Sequence, residues 1–173
     1  MKFPYDLAND SQKAFMKAFE NLYEHSPWVA EKAYIGTKQN NSHNNLEQFH
    51  ALLCETMLAS ESDLHDALIC SHPVLAGKKS QRNELTRFST SEQKSAGLNN
   101  CSDEEITLFQ TLNRQYKEKF GFPFIMAIKE KNKAEIEAGF HERQHNSVEQ
   151  ERQSALAEIN KIAWLRIKEI YGI

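Results

Sequence analysis

The stretch SVEQERQSALAEINKIAWLRIKEI, Ser147 to Ile170, decides the fold class. Its apolar residues return every three or four positions, which is the period of an α-helix and not the alternation of a strand. At about 100° per residue, Ala155, Ile159, Ile162, Ala163 and Ile170 fall within one arc of about 100°. Arg166 falls inside the same arc, while Lys161 and Lys168 lie well away from it. An arginine on a core-facing stripe has to find a partner, because an unpaired buried charge is very costly. Two readings are open at this point. One is a buried structural ion pair or a snorkelling side chain, and the other is a fork-shaped clamp for an anion.

The same period runs through most of the chain. Ala14, Phe15, Ala18, Phe19 and Leu22 mark a helix that follows a cap at Asp10 or Ser11. Pro27 opens a short helix to about Ile35, and the polar, Asn-rich stretch Thr37 to Asn45 reads as a loop. Leu46, Phe49, Leu52, Leu53 and Met57 form an amphipathic helix, and Asp63 to Cys70 forms another that stops before Pro73. GKKSQRNELTRF, Gly77 to Phe88, is charged and reads as irregular, with a helix restarting near Ser91 and ending at Gly97. Ile106, Phe109, Leu112, Tyr116 and Phe120 place a helix over Asp103 to Phe120, followed by the aromatic turn FGFPF, Phe120 to Phe124. There is no internal repeat. The expected fold is all-α: one domain over residues 1–173, an irregular bundle of about eight helices.

Composition narrows the function. At 173 residues with 40% hydrophobic content, including 10 Phe, the chain can bury a real core. A formal net charge of −3 lacks the basic stripe of a general nucleic-acid binder, so no nucleic-acid partner is expected. No run approaches the roughly 18 consecutive apolar residues of a membrane span, and no membrane partner is expected. The opening MKFPYDLANDSQK has no apolar segment of the signal-peptide kind, which points to a cytoplasmic protein. Cys54, Cys70 and Cys101 are odd in number and widely spaced, as expected of reduced thiols and not of a disulfide framework or zinc knuckle. The seven histidines contain no HExxH pattern, and Walker, GxGxxG and GxSxG motifs are absent, so no metal site is expected.

Four features could carry chemistry. His72 precedes Pro73, which disfavours helical backbone at His72 and should end the preceding helix there. Its imidazole then projects from a bend, with a pKa naturally near neutrality. The bland alternative is a histidine satisfied by a helix C-terminus. Glu92 lies in STSEQ, where Ser89-x-x-Glu92 fits a capping box, though a carboxylate near a helix start can also face a ligand. Arg166 is the third feature. In FGFPF, Gly121 permits unusual backbone angles and Pro123 suits the first position of a helix or turn. The amides of Phe124, Ile125 and Met126 would then be free donors for an oxygen atom, unless the turn merely packs.

Taken in order, SHPVLAGK (Ser71 to Lys78), STSEQKSAGL (Ser89 to Leu98), LNRQYKEKFGFPFI (Leu112 to Ile125) and ALAEINKIAWLRI (Ala155 to Ile167) resemble one family, the 2-oxo-4-hydroxy-4-carboxy-5-ureidoimidazoline (OHCU) decarboxylases of uric acid degradation. SPWVAEKA, Ser26 to Ala33, is similar to the family's N-terminal region. The resemblance implies an all-α homodimer that uses no cofactor and no metal. Its substrate would be a small anionic ureidoimidazoline, and its products (S)-allantoin and carbon dioxide. It implies that His72 is the catalytic histidine and Glu92 its acidic companion. It also implies that Pro73, Ser89, Gln93, Phe124, Ile125, Met126 and Arg166 bind substrate. Two positions depart from the pattern: Val74 stands where a polar residue is frequent, and HERQHNSVEQER matches the family's Arg-x-x-Asn only through Arg143 and Asn146. A second reading is a helical module that binds a ureide or purine derivative without turning it over. The presence of both His72 and Glu92 favours the enzyme.

Overall fold

The structure, a computed structural model, describes residues 2–77 and 85–173. The charged residues 78–84, at the heart of the stretch read as irregular, lie outside the described residues. Among the described residues the fold is all-α. The described residues form nine α-helices: α1 (Pro4–Asp10), α2 (Gln12–Phe19), α3 (Trp28–Gln39), α4 (Leu46–Leu58), α5 (Ser62–Ser71), α6 (Arg87–Ser95), α7 (Asp103–Phe120), α8 (Lys133–Arg143) and α9 (Val148–Tyr171).

Several of the helices start where a side-chain oxygen satisfies an open amide. Ser11 caps α2 by accepting from Ala14 N, and Asn45 caps α4 by accepting from Gln48 N. Ser102 opens α7 with a complete capping box, its partner being Glu105. Helix α7 stops at Gly121, whose φ of +82° is a left-handed conformation that side chains resist. Two expectations need correction. Helix α3 runs on to Gln39 because Thr37 is fully buried, its hydroxyl donating to Ala33 O, and the residues after it form a 3-10 turn over Asn41–Asn44. Pro123 opens no helix: residues 123–128 are irregular.

The chain folds as two compact units, residues 1–68 with 162–173, and residues 69–161. The core of the first gathers Phe15, Phe19 and Phe49, whose ring centroids lie 4.8–6.0 Å apart in edge and tilted contacts. Tyr34 joins them and donates its hydroxyl to Ala8 O at 3.2 Å. The core of the second unit is built on Tyr116, which meets Phe120, Phe122, Phe124 and Phe140 at centroid distances of 4.6–6.1 Å. Each such ring contributes about 1.5–3 kcal/mol by burial. The stripe read from α9 is buried over Ala155, Ile159, Ile162, Ala163 and Arg166, and half-buried at Ile170 near the helix end.

Candidate active site

The second unit holds all but one of the sequence-predicted site residues. Helix α5 ends at Ser71, as the His-Pro sequence requires, and His72 N reaches back to Ile69 O at 3.3 Å. His72 is 8% exposed, so its imidazole sits inside the protein and not at a solvated helix end. Pro73 is half-buried and begins the turn that leads to Ala76. Ala76 is fully buried and adopts a φ of +51°, a left-handed conformation costing an L-residue about 1–2 kcal/mol. A non-glycine residue stays there only if its surroundings hold it.

Helix α6 supplies the hold. Gln93 accepts from Ala76 N at 3.2 Å and donates to Val74 O at 3.2 Å, so one carboxamide spans the turn as a second peptide would. Asn113 from α7 adds a bond to Leu75 O at 2.9 Å. Gln93 thereby ties the helix that carries Glu92 to the turn that carries His72. Its amide retains capacity for a further partner, since the oxygen has a second lone pair and the nitrogen a second hydrogen.

Glu92 does not close a capping box. The helix begins four residues earlier than expected, at Arg87, and its cap is Thr86, which accepts from Ser89 N. With that start, Ser89, Glu92, Gln93 and Ala96 fall at i, i+3, i+4 and i+7, one face of the helix. All four are buried. This is a core-facing stripe made largely of polar side chains, which an unliganded core would fill with apolar ones.

The Phe124–Met126 segment lies in the same unit. Ser95 Oγ of α6 donates to Lys129 O at 3.1 Å, just beyond it. Ala127 N is taken by Glu158 Oε2 at 2.8 Å. Among the described residues, the amides of Phe124, Ile125 and Met126 donate to no other group of the chain. Phe124 stacks on Phe140 with centroids 3.8 Å apart.

Arg166 belongs to the other unit. It is 2% exposed, and its Nη2 donates to Glu24 Oε2 at 2.9 Å while Nη1 reaches Leu22 O and Asn21 O at 3.3 and 3.4 Å. Of the two readings of Arg166, the buried ion pair is therefore present.

Sequence reasoning missed a second buried pair. Glu151 is fully buried and accepts from Arg143 Nε at 2.7 Å, from Asn146 Nδ2 at 2.7 Å and from the Tyr116 hydroxyl. Burial, then that carboxylate, holds the Tyr116 phenol well above its ordinary pKa. Glu151 sits one turn before Ala155, on the stripe that revealed Arg166, so scanning that stripe for carboxylates would have found it.

The class is that of a helical protein with a buried histidine, a buried carboxylate, a carboxamide that clamps the turn after His-Pro, and open amides in the same unit. A profile of the OHCU decarboxylase family matches residues 9–168, and the chain belongs to that family. It is 35% identical over 159 residues to the 2-oxo-4-hydroxy-4-carboxy-5-ureidoimidazoline decarboxylase of Haloferax volcanii, covering 92% of this chain and 90% of that protein. A protein of the same name from Amia calva is 35% identical over 160 residues, covering 92% and 89%. The crystal structure of (S)-allantoin synthase matches with a TM-score of 0.73 and 27% identity over 98% of this chain. This chain spans 54% of that longer one.

Proposed function

We propose that this protein decarboxylates 2-oxo-4-hydroxy-4-carboxy-5-ureidoimidazoline to (S)-allantoin and carbon dioxide, a step of uric acid degradation. The observation that carries the reading is the family match over residues 9–168, and the resemblance of the motif blocks supports His72 and Glu92 as the catalytic pair. The match runs through both units, and we read them as one catalytic domain. The family resemblance supports a homodimer, and three free thiols suit the reducing cytoplasm.

The chemistry asks for positioning and charge stabilisation. The bond between the ring carbon and the carboxylate breaks, its electron pair stays on the ring, and a proton added to one face sets the (S) configuration. The substrate's own ring accepts the electrons, so the reaction we propose uses no cofactor. The carboxylate must be held across the accepting π system. His72 engages the hydroxyl and carboxylate and then takes part in proton transfer. Glu92 and the free capacity of Gln93 accept or share ureido and ring N–H groups, with Ser89 and Pro73 completing that wall. The amides of Phe124, Ile125 and Met126 hold ring and ureido oxygens with donors already in place. For Arg166 the support is its match to the family's substrate-gripping arginine.

The test follows the chiral product by circular dichroism on freshly made substrate, with spontaneous decay subtracted. Wild type should yield (S)-allantoin where the blank yields racemate, and His72→Ala should be about 10²–10⁴-fold slower. A folded His72→Ala that keeps the wild-type rate removes His72 from the mechanism. Arg166→Lys should raise KM, since a point charge cannot replace a fork. An unchanged KM leaves Arg166 with its ion pair alone.

A further inference from the structure

We infer that Arg143 is a positioning residue for the reaction proposed above: by gripping the Ile125 carbonyl, it aims the Met126 N–H at the substrate. The inference rests on that functional reading and adds residues to it.

Arg143 Nη1 donates to Ile125 O at 2.5 Å. In a trans peptide the carbonyl and the following N–H point in opposite directions across a rigid plane. Holding the Ile125 oxygen therefore fixes the Met126 N–H on the far side, away from the guanidinium. Among the described residues that N–H has no acceptor in the chain. The neighbouring Ala127 amide is spent on Glu158, so the segment is pinned at Ile125 O and Ala127 N with the Met126 amide left between the two pins.

The grip has one orientation because the guanidinium is itself held. Its Nε donates to Glu151, its Nη2 forms an ion pair with the same carboxylate, and its carbon lies 4.6 Å from the Phe124 ring centroid. The carboxylate in turn is fixed by Tyr116 from α7 and Asn146 from the turn after α8. The Met126 side chain packs against Gly139, its Sδ and Cε lying 3.2 and 3.0 Å from where a Cβ on that residue would stand. Tyr116, Asn146, Glu151 and Arg143 thus form a chain of bonds that ends on one loop carbonyl. A network serving only to staple α7, α8 and α9 together would have no need of that last bond.

The experiment uses the full chain, labelled with nitrogen-15, and (S)-allantoin as the probe. In wild type the Met126 amide proton should shift downfield on binding. In Arg143→Lys the shift should shrink and KM should rise about tenfold with kcat changed much less, as expected for loss of uniform binding. Tyr116→Phe keeps Arg143 and Glu151 and supplies a milder variant, with KM up about two- to threefold. A wild-type Met126 amide that stays still while other amides move overturns the inference. So does Arg143→Lys that loses thermal stability but retains the wild-type KM, which is the signature of a purely structural role. Wild type that neither decarboxylates the substrate nor shifts any amide overturns the proposed function, and the inference falls with it. Wild type that turns over normally beside an unaffected Arg143→Lys overturns the inference alone.

Discussion

Each unit buries an arginine against a glutamate, and the two pairs part company in where the spare donors go. In the first unit Arg166 and Glu24 meet at 2.9 Å with 2% and 1% of their side chains exposed. Nη1 of Arg166 reaches the carbonyls of Asn21 and Leu22, next to its own partner in sequence. In the second unit Glu151 is fully buried and Arg143 is 13% exposed. There the carboxylate is crowded with neutral donors, and Arg143 sends a hydrogen bond out to a loop carbonyl. The same ion-pair chemistry can hold carbonyls beside its own partner or a carbonyl of a distant loop. What separates the cases is the address of the third bond, and burial alone does not reveal it.

The largest effect should come from removing one acid. Glu24→Ala leaves a guanidinium with almost no path to water, and such breaks cost about 3–5 kcal/mol. Glu151→Ala should cost less, about 2–4 kcal/mol, because Arg143 can turn toward solvent even as Tyr116 and Asn146 lose a partner. Urea denaturation of the two variants gives the order directly. A larger loss for Glu151→Ala would mean that the neutral donors around it, and not exposure, govern the cost.

Replacing both members of a pair separates the cases further. Glu24→Leu with Arg166→Met removes both charges and should recover most of the loss, less what the Asn21 and Leu22 carbonyls forfeit at their long 3.4 and 3.3 Å bonds. Arg143→Met with Glu151→Leu should recover less, because the Tyr116 hydroxyl, the Asn146 amide and the Ile125 carbonyl are stranded at about 1–3 kcal/mol each where water cannot reach them. Turnover discriminates as well. A stable Arg166 double variant with raised KM supports a grip on substrate, whereas wild-type KM confines Arg166 to the fold.

A neutral clamp provides the intermediate effect. Gln93→Ala leaves Val74 O and Ala76 N without their partner and releases a residue held at φ +51°. The expected loss is about 1–3 kcal/mol with a matching fall in activity, since the turn carrying His72 is no longer tied to α6. Full activity at reduced stability would show that the turn keeps its shape without the clamp.

The legibility of these features in sequence follows the same division. The stripe through Arg166 was readable because it is periodic and apolar. Its partner Glu24 was not, since it stands between α2 and α3, where no period operates and where His25 adopts a φ of +45°. The start of α6 was misplaced because Ser89-x-x-Glu92 satisfies one local rule while Thr86, three residues before Ser89, satisfies the same rule better in three dimensions. Hydrophobic periodicity could not correct the error, because the buried face of α6 is Ser89, Glu92 and Gln93, polar residues that such a reading assigns to solvent. Pro123 suits a helix or a turn, and no helix begins there; the amides after it stay open in a segment pinned at Ile125 O and Ala127 N.

The smallest effect should arise away from both ion pairs. Cys54 of α4 has its thiol 3.3 Å from His50 Nε2, and burial pushes its pKa up to about 11. An unfolded thiol ionises near 9.0, so above that pH the unfolded chain sheds a proton that the folded chain keeps. Stability should therefore be indifferent to this group below pH 9 and should fall as pH rises toward about 11. Solvent screening at a half-buried thiol holds the loss to about 1 kcal/mol or less. Both arginines keep their charge throughout this range and contribute no slope of their own. Cys54→Val should flatten the urea midpoint between pH 9 and 10, leaving only the later fall from buried phenols such as Tyr23, whose pKa burial also raises. An identical slope in wild type and Cys54→Val would show that the thiol is not the titrating group, and would return attention to the phenol beside Glu151 in the second unit.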